Sequence, residues 1–417
     1  MRTGLELFRV HRQIPTEHLT NVSSAVRAEL IRCGVRLKPG DRIAVAVGSR
    51  GITHLVDMVR EVVTWVRSQG ATPFLVPAMG SHGGATAAGQ QAILEYYGLS
   101  QEATGAEIRS SMEVVELPRG DLSTPVYLDA QAAAADGTIL INRVKPHTSF
   151  HGRYESGIMK MLAIGLGKRP QALVIHQLGA QGLRDTMPRI ARQILKHGNI
   201  LLGLAVVENA CNETMRIKAI PARDIEEEEP PLLEIARANA PALPVTNLDI
   251  LIVDEIGKNI SGLGMDTNVI GRLGIRGQPE PQTPTIRIII VRDLAAASCG
   301  NAVGIGLADI TTRRLFNKLD FRATYENALT STCLERAKVP MVADTDRQAL
   351  DFALQAIALQ DTNTARIIRI HNTLRIDRFL ASPAVLEELS NQPGIEVLGQ
   401  VEPLFDEQEN MTADLTP

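Results

Sequence analysis

Four of the nine histidines of this chain lie within one stretch of fewer than a hundred residues, which also carries a lysine in a glycine-rich run. Imidazole is the usual proton carrier near neutral pH and the commonest metal ligand in proteins. Clustering of this kind therefore predicts a functional site. The histidines are His82, His147, His151 and His176, and the lysine is Lys160.

The elements that must position these side chains alternate along the first half of the chain. An apolar run at 42–47 is typical of a strand buried on both faces. Apolar residues at helical spacing follow at 52–66, and further strand-like runs occupy 138–144 and 200–207. Repeated alternation of strand and helix predicts a mostly parallel sheet with helices on both faces.

A break in this pattern falls at the acidic run 224–231, which we interpret as a solvated helix start or a linker, and at the proline-rich 240–244. After it the alternation resumes. Strands are predicted at 248–253, 286–291 and 365–370, and a helix at 347–359.

At 417 residues the chain is too long for one core. We therefore predict an α/β protein of two domains, each with a mostly parallel sheet flanked by helices, and an active site in the cleft between them. The N-terminal domain would span residues 1–245 and the C-terminal domain 246–405. Residues 406–417 are acidic and polar, and we expect them to form a loose tail.

Composition excludes several classes of function. A net charge of −4 and an aromatic content of 3% give no basis for binding nucleic acid or an anionic membrane. The four cysteines form no Cys-x-x-Cys pair, which argues against a zinc ribbon, an iron–sulfur cluster or a disulfide framework. No signal peptide or membrane span is recognisable, so we expect a soluble cytoplasmic protein.

Three polar loops should meet at one edge of the N-terminal sheet, because ligands of such sheets bind at the carboxyl ends of the strands. Arg50, His82 and His147 each follow a predicted strand. Arg50 stands next to Gly51, and a guanidinium there suits bidentate binding of a carboxylate or phosphate.

A second glycine-rich segment precedes a helical pattern and resembles a phosphate cradle at a helix N-terminus. We predict that Gly165, Gly167 and Lys168 bind a cofactor there. No complete dinucleotide fingerprint or Walker motif is present.

The histidine cluster allows more than one chemistry. Only His147 and His151 are spaced like a pair in a closed zinc site, and the cluster lacks the carboxylates of a two-metal hydrolase. A site with few protein ligands better fits a metal whose remaining ligands come from an organic cofactor. Two alternatives stay open. One is a zinc- or iron-dependent hydrolase or lyase with the four histidines as direct ligands, and the other is a non-catalytic protein that binds an anionic metabolite through Arg50.

Three motifs give the chain a resemblance to a known family over most of its length. They are Gly80-Ser81-His82, Pro146-His147, and Lys160 followed sixteen residues later by His176. On these residues the chain resembles the nickel-pincer lactate racemase family.

The resemblance implies a cofactor of the pyridinium-3,5-bisthiocarboxylic acid mononucleotide type that holds nickel. Lys160 would attach it covalently through a thioamide, and His176 would be the protein's nickel ligand. His82 and His147 would be the acid/base pair on the two faces of the substrate, and Arg50 would bind the substrate carboxylate.

The implied reaction is racemisation or epimerisation of a 2-hydroxy acid. Hydride transfer to a pyridinium carbon requires only that the substrate hydroxyl lose its proton, and a neutral imidazole suits that step. In the second domain, Lys258 and Arg272 are the cationic candidates for substrate binding. Cations near the pocket, including Arg153, would favour a dicarboxylate such as malate, while lactate, other short or aromatic hydroxy acids and sugar acids stay open as substrates.

This sequence also departs from the family. The loop 48–51 reads Gly-Ser-Arg-Gly, where the lactate enzyme has Asp and Thr before the Arg and Pro after it. A few extra residues between His147 and Lys160 make His151 a competitor for the second acid/base position. The expected partner is a small hydroxy acid, and a homo-oligomer is compatible with the sequence.

Overall fold

The chain folds into two compact units. The computed structural model describes residues 5–415. One unit is Pro15–Ala240, and the other joins residues 5–14 to residues 241–415. The division thus falls a few residues before the predicted domain end at 245, and the first residues belong to the second unit. None of the described helices has the length and apolar character needed to cross a bilayer.

Strands and helices alternate along most of the described residues. The strands are β1 (Phe8–Arg12), β2 (Arg42–Val47), β3 (Thr72–Pro77), β4 (Val114–Leu117), β5 (Val126–Asp129), β6 (Gly137–Arg143), β7 (Ile200–Glu208), β8 (Thr214–Pro221), β9 (Asn247–Ile256), β10 (Thr285–Leu294), β11 (Ile310–Thr312), β12 (Met341–Ala343), β13 (Ile367–Asn372), β14 (Arg375–Ala381) and β15 (Ile395–Gln400).

The α-helices include several single turns. They are α1 (Val22–Arg32), α2 (Leu55–Ser68), α3 (Ala87–Tyr96), α4 (Gln101–Thr104), α5 (Ala130–Ala133), α6 (Ile158–Lys160), α7 (Lys168–Gln177), α8 (Gly179–Gln181), α9 (Met187–His197), α10 (Ile225–Ala238), α11 (Thr267–Ile270), α12 (Arg313–Phe316), α13 (Phe321–Ser331), α14 (Asp346–Ile357) and α15 (Pro383–Leu389). A π-helical turn, Met161–Gly165, continues directly from α6.

The sheet of the Pro15–Ala240 unit has the strand order β3-β2-β6-β7-β8. Strands β3, β2, β6 and β7 run parallel, and β8 runs antiparallel to β7. Alternate residues of β2 enter different cores: Val45 packs with apolar residues of α1 and α2, whereas Ala46 packs with those of α7, α9 and α10. Both faces of the sheet are therefore covered by helices, which explains the unbroken apolar run of β2.

The strand order of this sheet reverses beside β2. The chain passes from β2 outward to β3 and later returns to the other side of β2 as β6. Ligands of open α/β sheets bind outside the carboxyl ends of the strands at such a reversal. The loops after β2, β3 and β6 are therefore the parts of this unit that are placed to bind a ligand.

The second unit has a mixed sheet in the order β12-β11-β10-β9-β13-β14-β1-β15. Strands β12 to β13 of this order are parallel, and β14, β1 and β15 pair antiparallel. Pairing of β1 with β14 and β15 is the reason that the first residues belong to this unit. The predicted fold class, α/β with mostly parallel sheets flanked by helices, is confirmed, while an active site in a cleft between domains stays a prediction.

The segment that follows residue 405 is packed instead of loose. Met411, Ala413 and Leu415 are buried against apolar side chains of the second unit. Arg369 Nη2 also donates a hydrogen bond to the Ala413 carbonyl oxygen at 2.7 Å. Apolar residues at every second position predict an extended segment with one buried face, a signal that the polar composition of the tail obscured.

Candidate functional site

Three loops that carry predicted site residues lie at one edge of the first sheet. The Arg50 loop follows β2, the His82 loop follows β3, and the segment from Val144 to Lys160 follows β6. Since these strands are parallel neighbours, their carboxyl ends meet at the same edge. The structure therefore places the loops of Arg50, His82 and His147 together, at the reversal of strand order.

The Arg50 loop is anchored by a neighbouring strand end. Thr53 N–H donates to Glu208 Oε1 at 2.8 Å, and Glu208 in turn forms an ion pair with Arg143. Thr214 Oγ1 donates to the Thr53 carbonyl oxygen at 3.0 Å. The Arg50 side chain itself is exposed, and no carboxylate among residues 5–415 forms an ion pair with it. Its guanidinium remains available to an anion.

His82 is held by a hydroxyl that the sequence interpretation did not single out. Ser49 Oγ forms a hydrogen bond with His82 Nδ1. On the other side of the loop, Gln90 Nε2 donates to the carbonyl oxygens of Gly80 and His82 at 2.9 and 3.2 Å. Because a hydroxyl can donate or accept, Ser49 allows either tautomer of the His82 ring.

Four of the predicted residues act on one another electrostatically. Desolvation, the positive charges of Arg50 and Lys160, and the nearby His176 lower the pKa of His82 to about 4. Desolvation and the charge of Arg50 likewise lower the pKa of Lys160 to about 8. Desolvation and the charge of Lys160 lower the pKa of His176. Arg50, His82, Lys160 and His176 thus form one cationic cluster, in which His82 is neutral at pH 7.

A kink brings Lys160 and His176 together. Sixteen residues of straight helix would separate them by about 24 Å. Lys168, at the start of α7, has a φ of +53°, which interrupts the helical path after the π-helical turn Met161–Gly165. The turn and α7 then pack against each other. The unusual backbone at Lys168 therefore positions His176 within electrostatic range of Lys160.

Lys168 has a structural role, which does not favour its predicted cofactor contact. Its side chain is fully buried, and Nζ forms an ion pair with the equally buried Asp129 at 3.0 Å. The same nitrogen donates to the Pro77 carbonyl oxygen and to Gln90 Oε1. The Lys168 side chain has no exposed surface, so its ammonium group is not accessible to a phosphate.

The surroundings of Gly165 and Gly167 do not favour the phosphate cradle, which stays a prediction. Gly165 lies so close to the Ala78 carbonyl that a Cβ there would approach its oxygen to 2.8 Å, and a Cβ at Gly167 would overlap the Ala163 carbonyl. The chain before α7 is already helical, and the Leu166 N–H donates a hydrogen bond to the Met161 carbonyl oxygen. These glycines permit close backbone packing, which a Gly-x-Gly pattern signals as often as ligand binding.

We expect Lys168→Met to destabilise the protein by about 3–5 kcal/mol, because the substitution leaves the Asp129 carboxylate buried without its cation. Thermal or denaturant unfolding measures the loss. Arg169→Met is the matched control, since Arg169 is exposed at the next position and should change stability by less than about 0.5 kcal/mol. Equal effects of the two substitutions would contradict the structural role of Lys168.

A buried carboxylate organises the segment that contains the other two histidines. Glu155 accepts hydrogen bonds from His147 N–H at 2.6 Å, from Gly152 N–H at 3.1 Å and from Arg237 Nη2 at 2.5 Å. Burial alone would raise the pKa of Glu155, but hydrogen bonds from His151, His147 and Arg237 outweigh it and hold that pKa below its usual value. Glu155 is therefore ionised, and its charge acts on Lys160.

His147 and His151 differ in the state of their rings. His147 Nδ1 accepts the Ser149 N–H at 3.0 Å, so the proton of the neutral ring is on Nε2. His151 Nδ1 lies 3.2 Å from Glu155 Oε1, and since a carboxylate only accepts, Nδ1 carries the proton and Nε2 has a free lone pair. His151, 43% exposed at its side chain, has the imidazole–carboxylate arrangement of a general base. The structure favours His151 over His147, the residue predicted from the sequence, as the second acid/base group.

The two cations predicted in the second unit differ from each other. Arg272 forms an ion pair with Asp309 at 2.7 Å and donates to the carbonyl oxygens of Leu307 and Ile286. Its hydrogen-bonding groups are engaged within the unit, which does not favour the predicted role in substrate binding. Lys258 follows β9, and its Nζ donates to the Gly262 carbonyl oxygen and contacts Asn327. Lys258 stays a candidate for substrate binding.

Protein side chains do not form a metal site on their own in the described part of the chain. Within residues 5–415, no three His, Cys, Asp or Glu side chains converge in a way that could hold an ion. A hydrolase site made of His82, His147, His151 and His176 as direct ligands is therefore not supported. A metal at the cationic cluster would need donors from another molecule.

Comparison with known proteins identifies one matching family model and a solved structure with a similar architecture. A family model described as a domain of unknown function, DUF362, matches residues 43–223, which include the cationic cluster. No curated protein sequence matches the chain. The structure of the lactate racemase apoprotein from Thermoanaerobacterium thermosaccharolyticum matches with a TM-score of 0.52 and 13% identity, over 89% of this chain and 99% of that chain. The chain has a lactate racemase-like fold. At this identity the likeness establishes the fold alone.

Proposed function

We propose that the protein is a racemase or epimerase of a 2-hydroxy acid and works with a nickel pincer nucleotide. The observation that carries the proposal is the convergence of Arg50, His82, Lys160 and His176 at the strand-order reversal of one sheet. Fold similarity to the lactate racemase apoprotein supports a racemase-like role.

The residues of the cluster fit such a cofactor. Lys160 is half-buried, has a lowered pKa and forms no ion pair with any residue in the described range 5–415, so its amine is suited to covalent attachment. His176 is exposed beside it, and its lowered pKa leaves the ring neutral, the form that binds metals. Lys160 would therefore hold the organic part and His176 the nickel. When bound, such a cofactor supplies reversible uptake of a hydride.

The remaining side chains of the cluster bind the substrate and move its proton. The guanidinium of Arg50 can accept a carboxylate in bidentate fashion. His82, neutral at pH 7, can remove the proton of the substrate hydroxyl, and the charge of a bound carboxylate would raise its low pKa towards a value better matched to this transfer. Because Ser49 tolerates both tautomers of His82, the same ring can return the proton in the reverse direction.

The structure weakens the expected preference for malate. Of the three cations that favoured a dicarboxylate, Arg272 is paired with Asp309 and Arg153 with Glu227. Lys258 donates a hydrogen bond to the Gly262 carbonyl oxygen and contacts Asn327. The proposal is therefore restricted to 2-hydroxy acids as a class.

Turnover of single enantiomers tests this function. Protein co-produced with cofactor-making enzymes and nickel should convert at least one pure enantiomer from a panel of 2-hydroxy acids into the racemate, as followed by chiral chromatography. Protein made without those enzymes is the control and should be inactive. Tight binding of a hydroxy acid without turnover in fully loaded protein would favour the non-catalytic alternative instead.

We expect Arg50→Lys to raise KM, because lysine keeps the charge but loses the planar fork that holds both carboxylate oxygens. A charge-assisted contact of this kind contributes roughly 1.5–3 kcal/mol, so KM should rise by about 10- to 100-fold. Steady-state kinetics measures the change. Arg60→Lys, which alters an exposed arginine paired with Asp57, is the control. Unchanged KM in Arg50→Lys would make Arg50 an ordinary surface charge.

A further inference from the structure

A buried carboxylate lies against the turn that carries Lys160. Glu229 belongs to α10 and is 1% exposed. Its Oε2 accepts the Met159 N–H at 2.9 Å, and the Ile158 N–H also interacts with the carboxylate. These two N–H groups belong to α6, the turn that ends at Lys160. The acidic run of α10 thus contributes one residue to the interior, unlike the solvated face that its composition predicts.

The preceding residue leaves space for this carboxylate. A Cβ at Gly157 would overlap the Glu229 carboxyl group, so that only glycine permits the contact. From the other side, Asn142 Nδ2 donates to the Gly157 carbonyl oxygen at 2.7 Å. The backbone immediately before α6 is therefore held between a side chain of β6 and a side chain of α10.

Stability does not explain an acid at this place. Among the described residues, no cationic side chain forms an ion pair with Glu229, and burial raises its pKa to about 7. Burying a carboxyl group whose partners are backbone N–H groups costs desolvation free energy. An apolar side chain of similar size would make the protein at least as stable. The value of Glu229 must lie in what its oxygens hold in place.

We propose that Glu229, in the space left by Gly157, is a positioning residue that fixes the turn of Lys160 and so keeps the Lys160 amine in the cationic cluster. The importance of that amine rests on the proposed function. Its position, however, can be measured in cofactor-free protein. A failed racemase assay and a failed test of Glu229 are therefore separate outcomes.

Acetylation of Lys160 by acetic anhydride provides the test, because only the neutral amine reacts. The rate of modification, mapped to the Lys160 peptide by mass spectrometry, should be half-maximal near pH 8 in the unmodified chain. In Glu229→Leu the turn loses its acceptor, and Lys160 can move away from Arg50 into water. Its pKa should then rise, and each unit of rise lowers the rate at pH 7 about tenfold. Gly157→Ala, which displaces the carboxyl group, should act in the same direction.

Glu229→Gln separates positioning from charge. The amide keeps an oxygen that can accept the Met159 N–H, so the Lys160 midpoint should stay near that of the wild type. If Glu229 acted only through its negative charge, Gln and Leu would behave alike, and both would lower the Lys160 pKa. Glu228→Gln is the surface control, since Glu228 precedes Glu229 on α10 and pairs with Lys218 of β8. A Lys160 midpoint unmoved in folded Glu229→Leu and Gly157→Ala, whatever their melting temperatures, would overturn the proposal.

Discussion

Replacing Lys160 by alanine is expected to abolish both the covalent attachment of the cofactor and all turnover. At pH 7 an amine with a pKa of about 8 is neutral in about a tenth of the molecules, against roughly one in a few thousand for an ordinary lysine. Desolvation and the charge of Arg50 thus make Lys160 a far better nucleophile than a surface lysine. Loaded protein should gain a few hundred daltons, on the order of a mononucleotide, on the peptide that contains Lys160. Intact-mass measurement and peptide mapping detect the gain.

Lys196→Ala is the control for this experiment, because Lys196 is exposed on α9. It should keep the adduct and the activity. An adduct on another peptide would move the attachment point elsewhere. Active wild-type protein without any adduct would show that the cofactor, if present, is held without a covalent bond.

Strand positions and the edge at which they end could be predicted from the sequence. Apolar runs such as 42–47 and 138–144 became β2 and β6, because a strand buried on both faces must be apolar throughout. Once those strands are parallel, the loops after them are necessarily neighbours. The approach of Arg50 and His82 follows from that geometry, without any knowledge of side-chain contacts.

Whether a cation is buried could not be predicted from its local pattern. Lys168 follows Gly-Leu-Gly as a phosphate-binding lysine would, but its partner Asp129 lies in a different part of the chain. Arg272 is likewise paired with Asp309, beyond β10. A free cation and a buried one have the same sequence signature when the neutralising carboxylate is distant in sequence. The partners of both residues could therefore not be predicted.

Residues that act through another residue were missed for a related reason. Ser49 was visible as the neighbour of Arg50, and Glu155 follows His151 by four residues, but neither spacing specifies a contact in a loop. Glu229 was hidden in a run of four glutamates, of which it alone is buried. Its position on the helix would have identified it as the buried glutamate only if the face of α10 that packs against α6 had been known.

His151→Ala is expected to lower kcat by about 10²- to 10⁴-fold, the usual contribution of a positioned acid or base, and His147→Ala to lower it by less than about tenfold. The difference follows from the partners of the two rings. Glu155 accepts the proton of His151 Nδ1 and so fixes the ring tautomer, which leaves Nε2 to accept and return a proton. His147 can take up a second proton only if Nδ1 loses the Ser149 N–H. Racemisation kinetics on loaded protein measures both variants.

Nickel content and the Lys160 adduct should be unchanged in both histidine variants, because neither ring is assigned to the metal. Glu155→Gln provides a further check: it removes the carboxylate that accepts the His151 Nδ1 proton, and should lower kcat while leaving the adduct in place. If the His147→Ala variant is inactive and the His151→Ala variant is active, the acid/base role belongs to His147. In that case the extra residues before Lys160 would have left the acid/base position at the proline–histidine motif, and Glu155 would serve only to hold the loop through the His147 N–H and Arg237.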